Sequence, residues 1–318
     1  EENFFNSSSL STLKLRLSLG VNGNRASNPY DALSRLVSNK YVYGNTLASG
    51  VYTGTMSNSE LRWERTYASN LGLEFGFLQD RINGSIEVYD MTTRDLLLTR
   101  TLPRISGYTS VMSNLGELGN RGFEFTLSSN NLRTKSLTWE SAINFSFNRN
   151  KIKHLYGEMV DVLDANGNVI GRKEADDLTN SWFIGQSIDR IWDYEVLGVW
   201  QESEVDQATA YGKRPGDMKL KDVNNDKVYT PRDDKTFQGY KRPLYRLGFR
   251  NDVRFLGNFL FSAFIRADLG FFRANNLYVN DGTGGQYERR NTYATPYWTV
   301  ENNNNEWARL ISNVSSPG

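Results

Sequence analysis

The 318-residue sequence contains no cysteine and a single histidine, His154. The absence of cysteine excludes disulfide bonds and thiolate metal sites. One histidine in a polar stretch leaves almost no material for Ser-His-Asp or Cys-His catalysis. The carboxylate pairs Asp176-Asp177 and Asp233-Asp234 are adjacent residues, which point to opposite sides of an extended chain and suit no acid–base dyad. The composition therefore argues against an enzyme.

Long apolar runs and a strong net charge are also missing. No stretch of about 18 apolar residues occurs, so the sequence contains no candidate membrane-spanning helix, and the mean hydropathy is −0.57. The net charge is +1, and no basic run is interleaved with aromatic residues, which argues against a nucleic-acid partner. A low average hydropathy does not exclude a membrane β-barrel, because only alternate residues of its strands face lipid.

The sequence is rich in two-faced alternation. Leu13, Leu15, Leu17, Leu19 and Val21 fall on one face of the first run, while Lys14, Arg16, Ser18 and Gly20 fall on the other. The same period of two returns at 61–77, 81–90, 123–128, 137–149, 245–255 and 259–268. A tilted strand needs about 9–11 residues to cross a bilayer, whereas strands of soluble domains are usually about 5–6 residues long. The lengths favour membrane-spanning strands.

The connections between these runs are alternately short and long. Tight turns are predicted at 79–80, 129–136 and 256–258, and long loops at 22–60, 91–122, 150–244 and from 270 onward. Aromatic residues flank the short turns, as in an interfacial girdle: Phe75, Phe77, Trp139, Phe255 and Phe259. We therefore predict an all-β fold, an arc of a large antiparallel transmembrane β-barrel with short periplasmic turns and long extracellular loops.

Seven strands cannot close a barrel around a solute pathway, so residues 1–318 are expected to form part of a barrel domain whose final strands are absent. Residues 150–244 are expected to form a long extracellular excursion. Partial alternation at 182–200 predicts that this excursion is rich in β structure. Three roles are open to its aromatic side chains: they pack a small core of the excursion itself, stack on sugar faces, or dock another protein.

One segment of the excursion has the spacing of a calcium-binding loop. Residues 222–233 place oxygen ligands at positions 1, 3, 5, 7 and 12 of an EF-hand-like loop: Asp222, Asn224, Asp226, the Val228 carbonyl and Asp233. Lys227 replaces the glycine usual at position 6, and Asp233 replaces the usual glutamate. The alternative is a loop closed by Asx-turns without metal. Calcium is the one cofactor that the sequence suggests.

Five segments, in order, resemble motifs of the SusC/RagA family of TonB-linked outer-membrane transporters. Residues 114–124 (NLGELGNRGFE) resemble N-x-G-E-x-x-N-K/R-G-x-E, and residues 61–66 (LRWERT) resemble L-K-W-E-K-T. Three further segments resemble D-L-L-L with L-P and S-G-F/Y, then F-S-x-N-x-N-K-I, then Y-W-T-P-E-N-P: 90–108, 145–152 and 296–302. The resemblance covers nearly the whole chain, which corresponds to the later part of the barrel. Residues 222–227 are also similar to the D-x-N-G-D-G sequence that this family often carries at this place.

This resemblance implies a barrel of about 22 strands, plugged by an N-terminal domain that the sequence lacks. It implies location in the outer membrane of a Gram-negative bacterium, in contact with outer-membrane lipid. The expected function is TonB-dependent uptake of an oligosaccharide or peptide, with TonB and a SusD-like lipoprotein lid as partners. The alternatives are a passive outer-membrane porin and a soluble or surface β-rich carbohydrate-binding protein.

Overall fold

The computed structural model describes residues 9–26, 28, 30–164, 166–273 and 295–309. The chain divides into two compact units. The first unit comprises Glu1–Asp189 and Pro243–Gly270, and the second comprises Arg190–Arg242 and Phe271–Gly318. Within the described ranges, no helix is both long enough and apolar enough to cross a membrane.

Strands are the commonest regular secondary structure among the described residues of both units. The strands of the first unit before residue 189 are β1 (Leu10–Asn24), β2 (Leu36–Tyr43), β3 (Thr46–Thr53), β4 (Thr55–Met56), β5 (Glu64–Phe77), β6 (Ile82–Arg94), β7 (Leu97–Thr101), β8 (Ser110–Asn114), β9 (Glu117–Arg133), β10 (Leu137–His154), β11 (Met159–Leu163) and β12 (Val169–Glu174). The later strands are β13 (Arg190–Tyr194), β14 (Val196–Val199), β15 (Met218–Leu220), β16 (Lys235–Tyr240), β17 (Tyr245–Phe255) and β18 (Phe259–Leu269). The helices are short: α1 (Val205–Ala210), α2 (Pro231–Asp234) and 3₁₀ turns at Arg104–Ser106 and Glu202–Glu204.

One seven-stranded sheet organises the first unit, in the order β1-β5-β6-β9-β10-β17-β18. All neighbouring pairs in it are antiparallel. The order in space follows the order in the chain, so the sheet is a meander, and the remaining strands lie in its long connections. The predicted arc of an antiparallel barrel, with its seven strands, is confirmed.

The register aligns the apolar side chains of neighbouring strands across the middle of the sheet. One row of directly paired residues is apolar on all seven strands: Leu15, Leu73, Ile86, Phe125, Phe145, Leu247 and Ala267. A slip of one residue on any strand would turn its apolar side chains to the opposite face. The alternation read from the sequence therefore fixes one apolar face, called outward here, and one polar face, called inward.

All three short turns lie at one end of the sheet. The turn between β5 and β6 places Leu78, Gln79 and Asp80 at φ values of 55°, 57° and 59°, and the turn between β17 and β18 uses Gly257 at φ 77°. The third short turn joins β9 to β10 at 134–136. Asn83-Gly84 lies inside β6, so this hairpin-like pair does not interrupt the strand. The other three connections are long and leave from the opposite end.

The expectation of a pattern-free loop at 22–60 is wrong in one part. β2 and β3 form a hairpin there, with Gly44 at φ 61° in its turn. Both faces of β2 carry apolar side chains, since Val42 lies between two exposed tyrosines, Tyr41 and Tyr43. Alternation could not reveal a strand whose two faces are alike.

The second unit contains two-stranded ladders and a small core. β13 pairs with β16, and β14 pairs with β15. Val199, Trp200, Ala208 and Trp298 are buried. The Trp298 indole Nε1 donates a hydrogen bond to the Gln201 side chain at 3.1 Å. Trp200 therefore packs the core of this unit and is not exposed for a ligand.

Candidate functional site

The outward face exposes apolar side chains to the surroundings. Leu15, Leu17 and Leu19 on β1 are 70%, 69% and 75% exposed, and at the other edge Phe261 and Ile265 on β18 are also exposed. A continuous apolar face that extends from one edge of a seven-stranded sheet to the other is a membrane or protein contact surface. Its strand lengths and its aromatic residues beside the short turns fit the lipid-facing surface of an outer-membrane barrel.

The inward face carries a network of charged side chains. On β1, Arg16 contacts Glu74 of β5 at 3.0 Å and Glu87 of β6 at 2.8 Å, and Lys14 lies 3.6 Å from Glu74. The Asn70 amide donates to Glu87 at 3.1 Å. Exposed ion pairs contribute about 0–1 kcal/mol each, so this network is not the main source of stability. It makes the inward face wettable, as the lumen of a solute pathway requires.

The same polar character continues to the far edge of the sheet. Arg246 and Arg266 both approach Asp268, at 3.8 Å and 3.0 Å, and Arg250 contacts Asp252 at 2.8 Å. Basic and acidic groups occur together on β17 and on β18. The inward face is therefore suited to a polar solute or to another polar protein surface, and it shows no single-sign selectivity.

Asn114 ties together segments that are distant in the sequence, at the long-connection end of the sheet. Its side-chain oxygen accepts the Arg62 N–H at 2.5 Å, and its side-chain nitrogen donates to the carbonyls of Arg62 and Asp95, both at 2.8 Å. Nearby, the Glu64 carboxylate accepts the Leu97 N–H at 2.9 Å. Residues 61–66, 90–98 and 114–124, three segments that resemble family motifs, thus meet in one hydrogen-bonded junction.

The rest of the 114–124 segment also has structural roles. Gly116 lies at φ 86°, which favours glycine. Gly122 sits directly opposite Tyr89, and a Cβ at Gly122 would lie 2.2 Å from the tyrosine ring. The Glu117 carboxylate lies 3.1 Å from both Arg94 and Lys153. The glycines and charges of this motif therefore shape the end of the barrel wall, and none of them needs to bind cargo.

A carboxylate clasp holds the start of the β10–β17 connection. Glu174 accepts backbone N–H groups of Leu155 at 2.7 Å and Gly157 at 2.8 Å, and it lies 3.1 Å from His154 Nδ1. Burial acts to raise the pKa of Glu174, but these hydrogen bonds outweigh it and the net pKa is lowered. The single histidine therefore lies at the end of β10 and supports a structural carboxylate.

A second, part-buried contact involves the neighbouring Tyr156. The Tyr156 hydroxyl donates to Asp177 at 2.8 Å. Burial, followed by the hydrogen bond to Asp177, raises the pKa of Tyr156 to about 12. The Asp177 carboxylate also accepts the backbone N–H and the side-chain amide of Asn180, at 3.0 Å and 2.7 Å. Asp177 is thus a turn-forming residue.

The predicted calcium loop lies on the surface of the second unit and is closed by its own hydrogen bonds. The Asp222 carboxylate accepts the N–H groups of Asn225 at 2.6 Å and Lys227 at 2.9 Å. Asn225 and Lys227 have φ values of 61° and 66°, so both adopt the left-handed conformation. Asp226 accepts the Val228 N–H at 2.7 Å. These contacts are the Asx-turns of the metal-free alternative.

Two further predicted ligands also accept hydrogen bonds within this loop. Asn224 accepts the Asp226 N–H at 3.1 Å, and Asp233 accepts the Thr230 hydroxyl at 2.9 Å. Across the described ranges, no three His, Cys, Asp or Glu side chains are grouped closely enough to hold a metal ion. Calcium binding by Asp222, Asn224, Asp226, Val228 and Asp233 stays a prediction, and no part of the function below depends on it.

No sequence pattern indicates the residue that organises this loop. Asp234 is fully buried, with an exposed fraction of 0%. Its two carboxylate oxygens accept the N–H groups of Val223 and Thr230, each at 2.8 Å. Asp233 and Asp234 are alike in sequence, but only Asp234 faces the core.

The matching family model is described as a TonB dependent receptor-like β-barrel and covers residues 10–191. The chain is 32% identical over 290 residues to "TonB-dependent receptor P3" of Formosa agariphila. The aligned region covers 89% of this chain and 28% of that protein. It is 37% identical over 166 residues to "TonB-dependent receptor SusC" of Bacteroides thetaiotaomicron, and here the aligned region covers 49% of this chain and 16% of that protein.

Among solved structures, the chain resembles the RagAB peptide transporter, with a TM-score of 0.70, 23% identity and coverage of 97% of this chain and 32% of that chain. At this identity the likeness concerns the fold. The chain spans less than a third of the length of the P3 receptor and of the RagAB chain. The receptor family consists of transporters and not of enzymes. The chain belongs to the TonB-dependent receptors of the SusC/RagA type, as a stretch of their outer-membrane β-barrel.

Proposed function

We propose that this chain forms part of the wall of a TonB-dependent importer, which carries an oligosaccharide or peptide nutrient across the outer membrane. The observation that carries the proposal is the two-faced sheet, apolar outward and charged inward along seven strands. In this proposal the inward face lines the solute pathway, while the long connections meet cargo at the cell surface. Energy from TonB would reach the receptor through a plug domain in another part of the protein.

The cargo class follows from the size and chemistry of the pathway. A barrel of about 22 strands holds a plugged lumen wider than that of an ordinary porin. The inward face offers carboxylates, guanidinium groups and amides together, which can form hydrogen bonds with sugar hydroxyls and with peptide groups alike. The RagAB structure is described as a peptide transporter, which supports a peptide as one of the two cargo classes.

A surface lipoprotein of the SusD type is the partner that this proposal includes. The hairpin of β2 and β3 supports it, because its apolar side chains are largely exposed: Leu36, Val42, Tyr43, Leu47 and Val51. Exposed patches with tyrosine are typical of protein contact surfaces. In this proposal the hairpin contacts the lid, and the double variant Val42→Asp/Tyr43→Asp lowers co-purification of the lipoprotein encoded beside the receptor. Undiminished co-purification would remove the hairpin from that interface.

The transport proposal is tested by growth on single nutrients. A strain lacking the full-length receptor is grown on a panel of oligosaccharides and peptides, with and without the wild-type gene. We expect loss of growth on one nutrient class and its recovery on complementation. Normal growth of the deletion strain on every nutrient would contradict the proposal.

A passive porin is the alternative that this experiment separates. A porin needs no energy source, so it would support the same growth in a strain without TonB. The importer requires TonB, and complementation should then fail. A soluble carbohydrate-binding protein fits poorly, because Leu15, Leu17 and Leu19 would expose a wide apolar face to water.

A further inference from the structure

The outward face changes its chemistry at the long-connection end of the sheet. The last fully apolar row of paired residues is Leu17, Leu71, Val88, Phe123, Phe147 and Tyr245. The next row on the same face is Leu19, Ser69, Asp90, Arg121 and Arg149. Because these rows are two residues apart along each strand, both point outward. Charged groups therefore stand directly above the apolar band on its outer side.

Two further outward rows continue this change on β6, β9 and β10. The first is Val21, Tyr67, Thr92, Gly119 and Lys151, and the second contains Arg65, Arg94 and Glu117. Lys153 belongs with them, since its ammonium group lies 2.8 Å from the Thr92 hydroxyl and 3.1 Å from Glu117. The six basic residues are named the outward basic collar: Arg65, Arg94, Arg121, Arg149, Lys151 and Lys153.

Acidic side chains neutralise only part of the positive charge of this collar. Arg121 contacts Asp90 at 2.7 Å, Arg94 contacts Glu117 at 3.1 Å, and Arg65 pairs with Asp95. These contacts leave most of the guanidinium groups accessible, since the Arg121 side chain is 78% exposed. The collar thus has an excess of exposed positive charge.

Arg149 and Lys151 are the basic residues of the collar that form no ion pair within the described part of the chain. Both are exposed. The Arg149 guanidinium lies 5.4 Å from the centre of the Phe147 ring. Its stem therefore leans on the aromatic edge of the apolar band, while its charged head remains at the level of polar headgroups. This arrangement is the one expected at a membrane interface.

We propose that the outward basic collar binds the phosphate groups of lipid A in the outer leaflet of the outer membrane. The collar cannot serve the solute pathway, because it lies on the opposite face of the sheet from Arg16 and Glu74. It lies at the end with the long connections, which is the extracellular end of such a barrel. Guanidinium groups bind phosphate through paired hydrogen bonds, and the collar is continuous with the surface that contacts acyl chains.

The proposal is tested by titrating bisphosphorylated lipid A onto the full-length receptor in detergent, with bound lipid counted by native mass spectrometry. The test variant is Arg149→Gln/Lys151→Gln. The control variant, Lys135→Gln/Arg254→Gln, removes the same charge from exposed residues at the short-turn end that likewise form no ion pair in the described ranges. At about fivefold in affinity per basic side chain, we expect about 30-fold weaker binding for the test variant and unchanged binding for the control.

Equal affinities of the two variants would overturn the proposal. A second titration needs no variant and separates phosphate recognition from acyl-chain contact. The wild-type receptor should bind bisphosphorylated lipid A more tightly than lipid A without its phosphates. Equal binding of the two lipids, or no binding of either, would likewise overturn it.

Discussion

At the scale of single residues, the decisive features are polar side chains that hold backbone together. Asn114 joins three segments, Glu174 holds the start of the β10–β17 connection, and Asp234 closes the surface loop. Each of these side chains hydrogen-bonds to backbone groups, and Asp234 does so from a fully buried position. A buried N–H group without an acceptor costs about 1–3 kcal/mol, so such residues matter more than exposed ion pairs.

Asp234→Ala should destabilise the loop at 221–234, because it removes the acceptor of two N–H groups in a buried position. We expect a loss of about 2–4 kcal/mol in local stability. Asp233→Ala is the matched control, since Asp233 is exposed and should cost less than about 1 kcal/mol. Hydrogen exchange of this segment in the full-length receptor measures both. Equal effects of the two substitutions would contradict the assigned role of Asp234.

Calcium binding by the same loop is tested by calorimetry on the chelator-treated full-length receptor. The prediction from the sequence requires a binding heat with Ca²⁺ that disappears in Asp222→Asn, because position 1 supplies an essential carboxylate. Asp206→Asn removes an equal charge from α1 and should leave the heat unchanged. No heat from the wild-type protein would contradict the prediction and leave the Asx-turns as the sole role of these residues.

At the scale of elements, each strand of the seven-stranded sheet has one face for lipid and one for the lumen. Adjacent residues on β10 should therefore lose different amounts of stability on the same substitution. Phe145 points outward within a complete apolar row, whereas Asn144 points inward opposite Thr126 and Gly248. The two positions form a matched pair, since they share a strand and a depth.

Phe145→Lys should lower the unfolding free energy of the receptor in lipid vesicles by about 2–4 kcal/mol, the cost of lysine near the bilayer midplane. Asn144→Lys should cost less than about 1 kcal/mol, because its ammonium group remains in a wet lumen. Urea titration of the full-length receptor compares the two midpoints. A smaller loss for Phe145→Lys than for Asn144→Lys would mean that the faces are assigned the wrong way round.

The elements differ in how far the sequence could predict them. The strands of the large sheet follow from their alternation, because one face of each is apolar and the other polar. The hairpin of β2 and β3 could not be found in this way, since Tyr41, Val42 and Tyr43 give no period. Asp234 could not be distinguished from Asp233, because which of two adjacent carboxylates is buried depends on the packing of α2 and the loop.

At the scale of the whole molecule, the two ends and the two faces of the seven-stranded sheet have different surroundings. The short turns lie at the periplasmic end, and the long connections lie at the extracellular end. The outward face meets lipid, and in our proposals it also meets lipid A phosphates while the inward face meets solute. This chain spans less than a third of the P3 receptor and of the RagAB chain. The proposed uptake, and its coupling to TonB, therefore concern the complete receptor.

The central claim is that this sheet is a barrel wall with lipid on its outward side. Spin labels placed one at a time at residues 143–147 of the full-length receptor in liposomes test it most directly, and the chain has no cysteine of its own to interfere. Oxygen accessibility should alternate with a period of two and peak at Ile143, Phe145 and Phe147. A flat profile, or peaks at Asn144 and Ser146, would contradict the claim.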